Sequence, residues 1–310
     1  MKRSQPDRVT GSMADGEREL YMPVSRRGET VEQGATVLEP EALPMDTVLV
    51  TGGTGHLGRS VVARLKPSHR VRVLARSPGS DPDVEWIRGD LATGEGITAA
   101  VSGAQVVVHA ATLSPAARRG FLLPVDFWRS PPEVDVDGTR RLLDAAVRAE
   151  VAHFAYVSIV GVDRARIPYM RVKHTAEELV RTGQVPWSIL RATQFHWLTD
   201  RMLGKAARLP VVPLPTDLRT QPVDSRDFAG HLVGRLAEGP GGQCVDFGGP
   251  EVLTLGELLA TWQQIRGRQR QLLRIPVPSA VERAAHDLTC PDGKRGTITW
   301  AEWLRTHPPE

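Results

Sequence analysis

Cysteine is scarce in this chain: it has two, Cys244 and Cys290, in no C-x-x-C pair and with no Cys/His cluster at zinc spacing. That argues against a disulfide framework and against a structural metal, so no metal ligands are expected. Long apolar runs are missing too, as is a charged-then-apolar leader, which leaves a cytoplasmic protein with no membrane association as the default expectation. No long run of one charge occurs; arginines are scattered and the net charge is only +3, so no nucleic-acid partner is expected. With 310 residues, 41% hydrophobic, the chain has enough material for a sizeable core. Residues 1–44 lack any sustained apolar period and are rich in polar, charged, Gly and Pro residues, which predicts a disordered extension. Met45 stands just before the first strong strand. Either it marks the biological start, or the upstream part is a flexible tail; N-terminal mass spectrometry of the native protein separates the two.

From Met45 onward, short apolar runs alternate with amphipathic segments. Strands are predicted around 48–50, 71–76, 84–90, 105–111, 153–160 and 187–193. Helices fall between them, notably over 139–151 and from about Tyr169 to Arg181. This rhythm implies an α/β fold, a doubly wound parallel sheet of Rossmann type, whose strands are buried on both faces and therefore read as near-continuous Val/Ile/Leu. The core is expected over 45–193. After Thr193 prolines punctuate the chain and helices are expected over 225–237, 254–266 and 279–287. Residues 194–310 thus read as a small substrate-side lobe with some elements returning to the core, its end anchored by Trp300 and Trp303.

The strongest motif is Thr51-Gly52-Gly53-Thr54-Gly55-His56-Leu57-Gly58, with strand before and helix after. Glycines allow the sharp turn and the close approach of main-chain N–H groups to a pyrophosphate, and the helix N-terminus favours that anion. Gly52, Gly53, Thr54, Gly55, His56, Leu57 and Gly58 are therefore candidate dinucleotide contacts. The second strand ends Leu74-Ala75-Arg76-Ser77, with arginine where an acid would select NAD. Arg76 suits a 2′-phosphate, so NADP is the expected cofactor with NAD the alternative; Arg76 is otherwise a solvated surface residue. Asp90, followed by Leu91, is placed to accept from an adenine amino group or to cap the next turn. Ala110 and Ala111, after His109, leave room for the cofactor or simply pack tightly.

Taken together, these residues resemble the short-chain dehydrogenase/reductase superfamily. TGGTGHLG matches its extended and atypical branches. VDVDGTRRLLDAA at 134–146, PYMRVKHTAEELV at 168–180, ILRATQFHW at 189–197, QPVDSRDFAGHL at 221–232 and TLGELLATW at 254–262 are similar to NmrA-like and related members. The resemblance covers roughly residues 46–305. It implies that Tyr169 and Lys173, a Y-x-x-x-K pair on one helix face, and Ser158 at the end of the fifth strand are catalytic. Lysine would favour the tyrosine phenolate and hold the nicotinamide ribose, and the serine would polarise a substrate oxygen. Against this, Tyr and Lys four apart occur by chance on many helices, and a strand-end serine often just caps a loop. Asp135 departs from the asparagine that extended members often carry there in a proton relay, and the gap from Ser158 to Tyr169 is short.

Thr193, Gln194 and Phe195 follow the sixth strand at the carboxyl edge, where ligands bind, and are expected to line a substrate pocket. Phe121, Leu122, Leu123, Phe127 and Trp128 form an apolar insert suited to a lid, a pocket wall or a packing surface; His174 reads as surface. The implied activity is hydride transfer between NADP and a small carbonyl or hydroxyl substrate, by an oxidoreductase or epimerase. The alternatives are an NADP(H)-sensing regulator or interaction protein without turnover, and a structural subunit that holds the cofactor.

Overall fold

The structure, a computed structural model, describes residues 46–113, 131–164 and 168–308. The extension 1–44 and the apolar insert around Phe121–Trp128 lie outside the described residues. Third from one edge of the main sheet runs β1 (Thr47–Thr51), flanked by β2 (Arg70–Ala75) and β4 (Val106–His109). Beyond β2 lies β3 (Val84–Arg88). Beyond β4 come β5 (His153–Ile159), β6 (Trp187–Ala192), β9 (Cys244–Gly248) and β12 (Lys294–Arg295). All seven pairings in this eight-stranded sheet are parallel. The chain leaves β1 in one direction and returns on its other side as β4, so a crevice opens at the carboxyl ends of these two strands.

Both faces of the sheet are covered, which is why its strands are apolar at successive positions. Val48 and Val50 face a cluster containing Val61 and Leu65 of α1 (His56–Leu65) and Phe228 and Leu232 of α6 (Ser225–Ala237). Leu49 faces the opposite cluster with Val101 of α2 (Ile97–Val101), Leu142 and Ala146 of α3 (Thr139–Arg148) and Val180 of α4 (Pro168–Arg181). A π-helical turn, Glu133–Gly138, runs directly into α3 and buries Asp135.

The third cluster belongs to the C-terminal region. Leu203 of α5 (His196–Ala206), Val212 of β7 (Val211–Leu214), Leu258 and Trp262 of α7 (Leu255–Arg266), and Trp300 and Trp303 of α9 (Trp300–Thr306) pack together. Trp300 and Trp303 stack at 5.7 Å, and Trp262 donates to Asp200 at 2.7 Å. β11 (Gln271–Arg274) pairs with β7, and β10 (Leu253–Thr254) with β8 (Arg219–Thr220); α8 spans Ser279–His286.

Strand boundaries fall one or two residues inside several expected ones: β3 ends at Arg88, ahead of Gly89-Asp90, and β4 at His109, ahead of Ala110-Ala111. The helix α5 is an addition to the sequence reading, in which the chain between Phe195 and the helix expected over 225–237 carried no element. No described helix is long and apolar enough to cross a membrane.

Candidate functional site

A cleft of about 650 Å³ lies over the β1–β4 crevice. Its first wall is the turn from β1 into α1. Gly52 has φ +75°, and a Cβ there would come within 2.7 Å of the Ala111 nitrogen; a Cβ on Gly58 would overlap the Gly52 carbonyl. The loop is thus held in a shape only glycine permits, with the open N-terminus of α1 beneath it. Thr54, Gly55, His56 and Leu57 line the cleft with Gly52 and Gly58. Gly53 is not among the lining residues; a Cβ there would come within 2.7 Å of the Val73 side chain of β2, so the turn packs closely on that strand.

A buried histidine ties the ends of β1 and β4 together. His109 is fully enclosed, and burial, aided by the positive Lys173, lowers its pKa to about 3, so the ring is neutral. Thr139 uses its hydroxyl hydrogen on the Asp135 carbonyl at 2.6 Å. The His109 Nε2–H therefore donates to the Thr139 oxygen at 2.9 Å, and Nδ1 accepts from the Thr51 hydroxyl at 2.6 Å. Thr51 in turn accepts from the Ala111 N–H at 3.4 Å. This chain fixes Ala110 and Ala111 at the cleft wall.

Arg76 extends from the end of β2 at the cleft rim and is exposed. Asp90 lies on the wall beside Leu91, where one carboxylate oxygen accepts from the Ala92 N–H at 2.9 Å. It therefore caps its turn while facing the cleft.

At the other end stand the residues expected to carry chemistry. Pro168, suited to a first helical position, opens α4, and Tyr169 and Lys173 follow on one face, both lining the cleft. Lys173 is 3% exposed. It donates to the Val157 carbonyl at 3.0 Å and lies 4.3 Å from the centre of the Tyr156 ring. Burial pulls its pKa down, while the negative charges of Asp135 and Glu177 oppose that fall. The Tyr156 phenol is driven well above its usual range by burial and stays neutral. Ser158 lines the cleft at the end of β5, and its buried hydroxyl has no hydrogen-bond partner among the described residues; the same holds for Thr193 after β6. Buried hydroxyls without partners are uncommon, and two of them bordering one cleft suit a polar ligand.

Gln194 and Phe195 also line the cleft, where Phe195 stacks edge-on against Phe228. The sequence reading missed the contribution of α5, which adds Trp197, Leu198, Arg201 and Met202. Trp197 stacks on His56 at 4.1 Å, almost parallel, joining α5 to the glycine loop. It also missed Thr112, whose hydroxyl meets both Tyr169 and Asp135. The only sequence signal for Thr112 was its place just beyond His109-Ala110-Ala111. His174 is half-buried on α4, 3.9 Å from Glu178 and away from the cleft lining.

The residues present fit a pyridine dinucleotide: a glycine cradle that a Cβ would fill, a small-residue strand end, and unpartnered hydroxyls beyond. Comparison with known proteins agrees. A family described as NAD(P)H-binding matches residues 52–236. The photosystem II assembly factor Ycf39 of Trieres chinensis is 26% identical over 74% of this chain and 72% of its own. The (4-alkanoyl-5-oxo-2,5-dihydrofuran-3-yl)methyl phosphate reductase of Streptomyces griseus is 30% identical over 75% and 78%. In fold, the chain is similar to a short-chain dehydrogenase/reductase superfamily protein from Agrobacterium tumefaciens solved with NAD. The TM-score is 0.61, with 22% identity over 84% of this chain and 95% of that one.

Proposed function

Given that this chain belongs to the NAD(P)H-binding family and has the fold of the short-chain dehydrogenase/reductase superfamily, we propose that it is an NADP-dependent reductase acting on a carbonyl or hydroxyl substrate. One observation carries the reading: Tyr169 and Lys173 stand on the same face of α4, on the wall of the same cleft as the glycine loop, with the Ser158 hydroxyl bordering it. When bound, the dinucleotide supplies or accepts the hydride. Tyr169 gives a proton to the substrate oxygen in reduction and takes it back in oxidation. Ser158 holds that oxygen by hydrogen bonding. Lys173, buried beside Asp135, supplies positive charge close to the tyrosine that favours its phenolate. Gly52, Gly55 and Gly58 keep the pyrophosphate side of the cleft open, and Arg76, with no acid at the end of β2, favours a 2′-phosphate. The apolar α5 wall, Trp197, Leu198 and Met202, suits a substrate with a sizeable hydrocarbon part.

The test is cofactor oxidation, followed at its near-ultraviolet absorbance, with NADPH and NADH against aldehydes, ketones and quinones. Turnover is expected with NADPH. Replacing Tyr169 by Phe lowers kcat by about 10²–10⁴-fold with cofactor affinity retained. Equal rates in parent and Y169F on an accepted substrate remove the tyrosine from its assigned role.

The relative from Trieres chinensis supports a second reading, since its name is that of an assembly factor and not of an enzyme. In that reading the chain binds NADP(H) and changes partners with its redox state. Tight, redox-dependent cofactor binding without turnover on any of the panel favours it.

A further inference from the structure

Exposed apolar side chains gather in one part of the molecule. Seven large hydrophobic side chains are exposed among the described residues, and six of them, all but Val147, fall in the C-terminal region: Leu209, Val211, Leu272, Leu273, Ile275 and Val281. The ribbon of β7 and β11 accounts for most of them. In its parallel register Val212 lies opposite Leu272 and Pro213 opposite Leu273. Val212 is buried in the third cluster. Successive strand side chains alternate, so Val211, Pro213 and Leu273 point the other way, and Leu273 is 57% exposed. Ile275, two positions on, continues this outer row, with its N–H on the Leu214 carbonyl at 3.0 Å. Such a face is unusual on a surface that meets only water.

Charge around the ribbon is of one sign. Residues 201–216 hold three cations and no acid, and residues 258–281 hold four cations and no acid. Arg208, Arg268 and Arg270 are exposed and precede the two parallel strands, so they collect at one end of the ribbon. The Arg270 Nε–H donates to the Ala207 carbonyl at 2.9 Å and holds the two approaches together. Asp217 and Glu282 stand at the opposite end beside Ile275, and Asp217 is paired with Arg274.

We propose that the outer face of the β7–β11 ribbon docks on the surface of an anionic phospholipid bilayer. Its apolar side chains enter the boundary between headgroups and acyl chains, and the arginines at its end meet lipid phosphates. The missing apolar run, which sets the expectation of no membrane association, concerns spanning; surface docking requires none. A second copy of this chain is a poorer cover. Two four-residue strands side by side make a face of about 13 Å by 10 Å. A stable interface takes roughly 800 Å² from each partner. The face is also joined to the cleft: α5, whose Trp197, Leu198 and Met202 line it, leads through residues 207–210 into β7. Docking therefore brings lipid close to the apolar cleft wall.

The experiment is co-sedimentation of the full chain with sucrose-loaded vesicles, either phosphatidylcholine alone or an equimolar mixture with phosphatidylglycerol. Each arginine at an anionic surface is worth about a fivefold gain in partitioning. Binding to mixed vesicles is therefore expected to exceed binding to neutral ones by about tenfold or more, and to fall as salt rises. L273S/I275S and, separately, R208Q/R268Q each lower it by about tenfold or more. R88Q/R148Q, the same loss of charge on exposed residues of β3 and α3, keeps parental binding. No binding to mixed vesicles overturns the proposal, as does equal binding to neutral ones or an equal loss in R88Q/R148Q. Sedimentation velocity without lipid tests the other occupant: a parental dimer that L273S/I275S converts to monomer assigns the face to a second copy and overturns the lipid reading. Should L273S/I275S not fold, R208Q/R268Q decides alone: a loss of about tenfold supports docking, and parental binding overturns it. No cofactor or substrate takes part, so the result is independent of the reductase reading.

Discussion

The crevice at the carboxyl ends of β1 and β4 and the aromatic cluster under α9 are organised by different forces. In the crevice, polar side chains are buried and several are held by directed partners: His109 between Thr51 and Thr139, and Asp135 among Thr112, the Leu113 N–H and Lys173. In the cluster, Trp262, Trp300 and Trp303 fill volume, and their two indole N–H groups with long-range partners go to Asp200 and the Leu258 carbonyl. The first region gets its precision from direction-dependent bonds that determine where hydrogens lie. The second gets its stability from buried area, which is indifferent to direction.

The comparison breaks most readily at Trp300, 1% exposed and stacked on Trp303. Truncation to Ala is expected to cost about 3–5 kcal/mol of unfolding free energy, read from denaturant titration. A loss below about 1 kcal/mol would show that packing is not what secures this region.

Acid tests the crevice. The folded-state pKa of His109 is about 3 against a usual 6.5, so the unfolded chain takes up the proton first as pH falls. Stability is therefore complete above pH 6.5 and is lost progressively from there toward pH 3, by roughly 2–3 kcal/mol at about pH 4.5 for this group alone. His153 and His231, each lowered to about 4 chiefly by burial, act in the same direction. Denaturant titrations at stepped pH measure this, and a flat profile would contradict the buried neutral ring.

The smallest effect sharpens the contrast. Thr299 and Glu302 form a reciprocal cap at the start of α9, each side chain bonding the other's backbone N–H. T299A is expected to cost about 1 kcal/mol, seen as a modest shift of the denaturation midpoint, with cofactor affinity unchanged.

The same contrast explains what could be read from the sequence. The sheet was legible because each strand is apolar on both faces, as in Val48-Leu49-Val50. The glycine loop was legible because Gly52 and Gly58 meet a local steric demand. Tyr169 and Lys173 were legible as neighbours on one helix. The helix α5 was not: Thr199, Asp200 and Arg201 interrupt its apolar pattern, and Asp200 is there to receive Trp262 and Arg266, more than sixty residues away. Thr112 and Asp135 meet across 23 positions, and no local period encodes such a contact. The motif does not show which glycine turns toward β2; that is Gly53, whose missing Cβ leaves room for Val73.

The return of the chain to the sheet has a consequence for how such a protein diversifies. β9 and β12 come from beyond Phe195, yet they extend the parallel sheet past β6. The C-terminal half is therefore not a detachable cassette: a chimera that exchanged it wholesale would also replace two strands of the common platform and the register that aligns them. Variation in what the cleft accepts is channelled instead into single side chains along α5, where one substitution alters the wall and leaves the scaffold's hydrogen-bonded ladder intact.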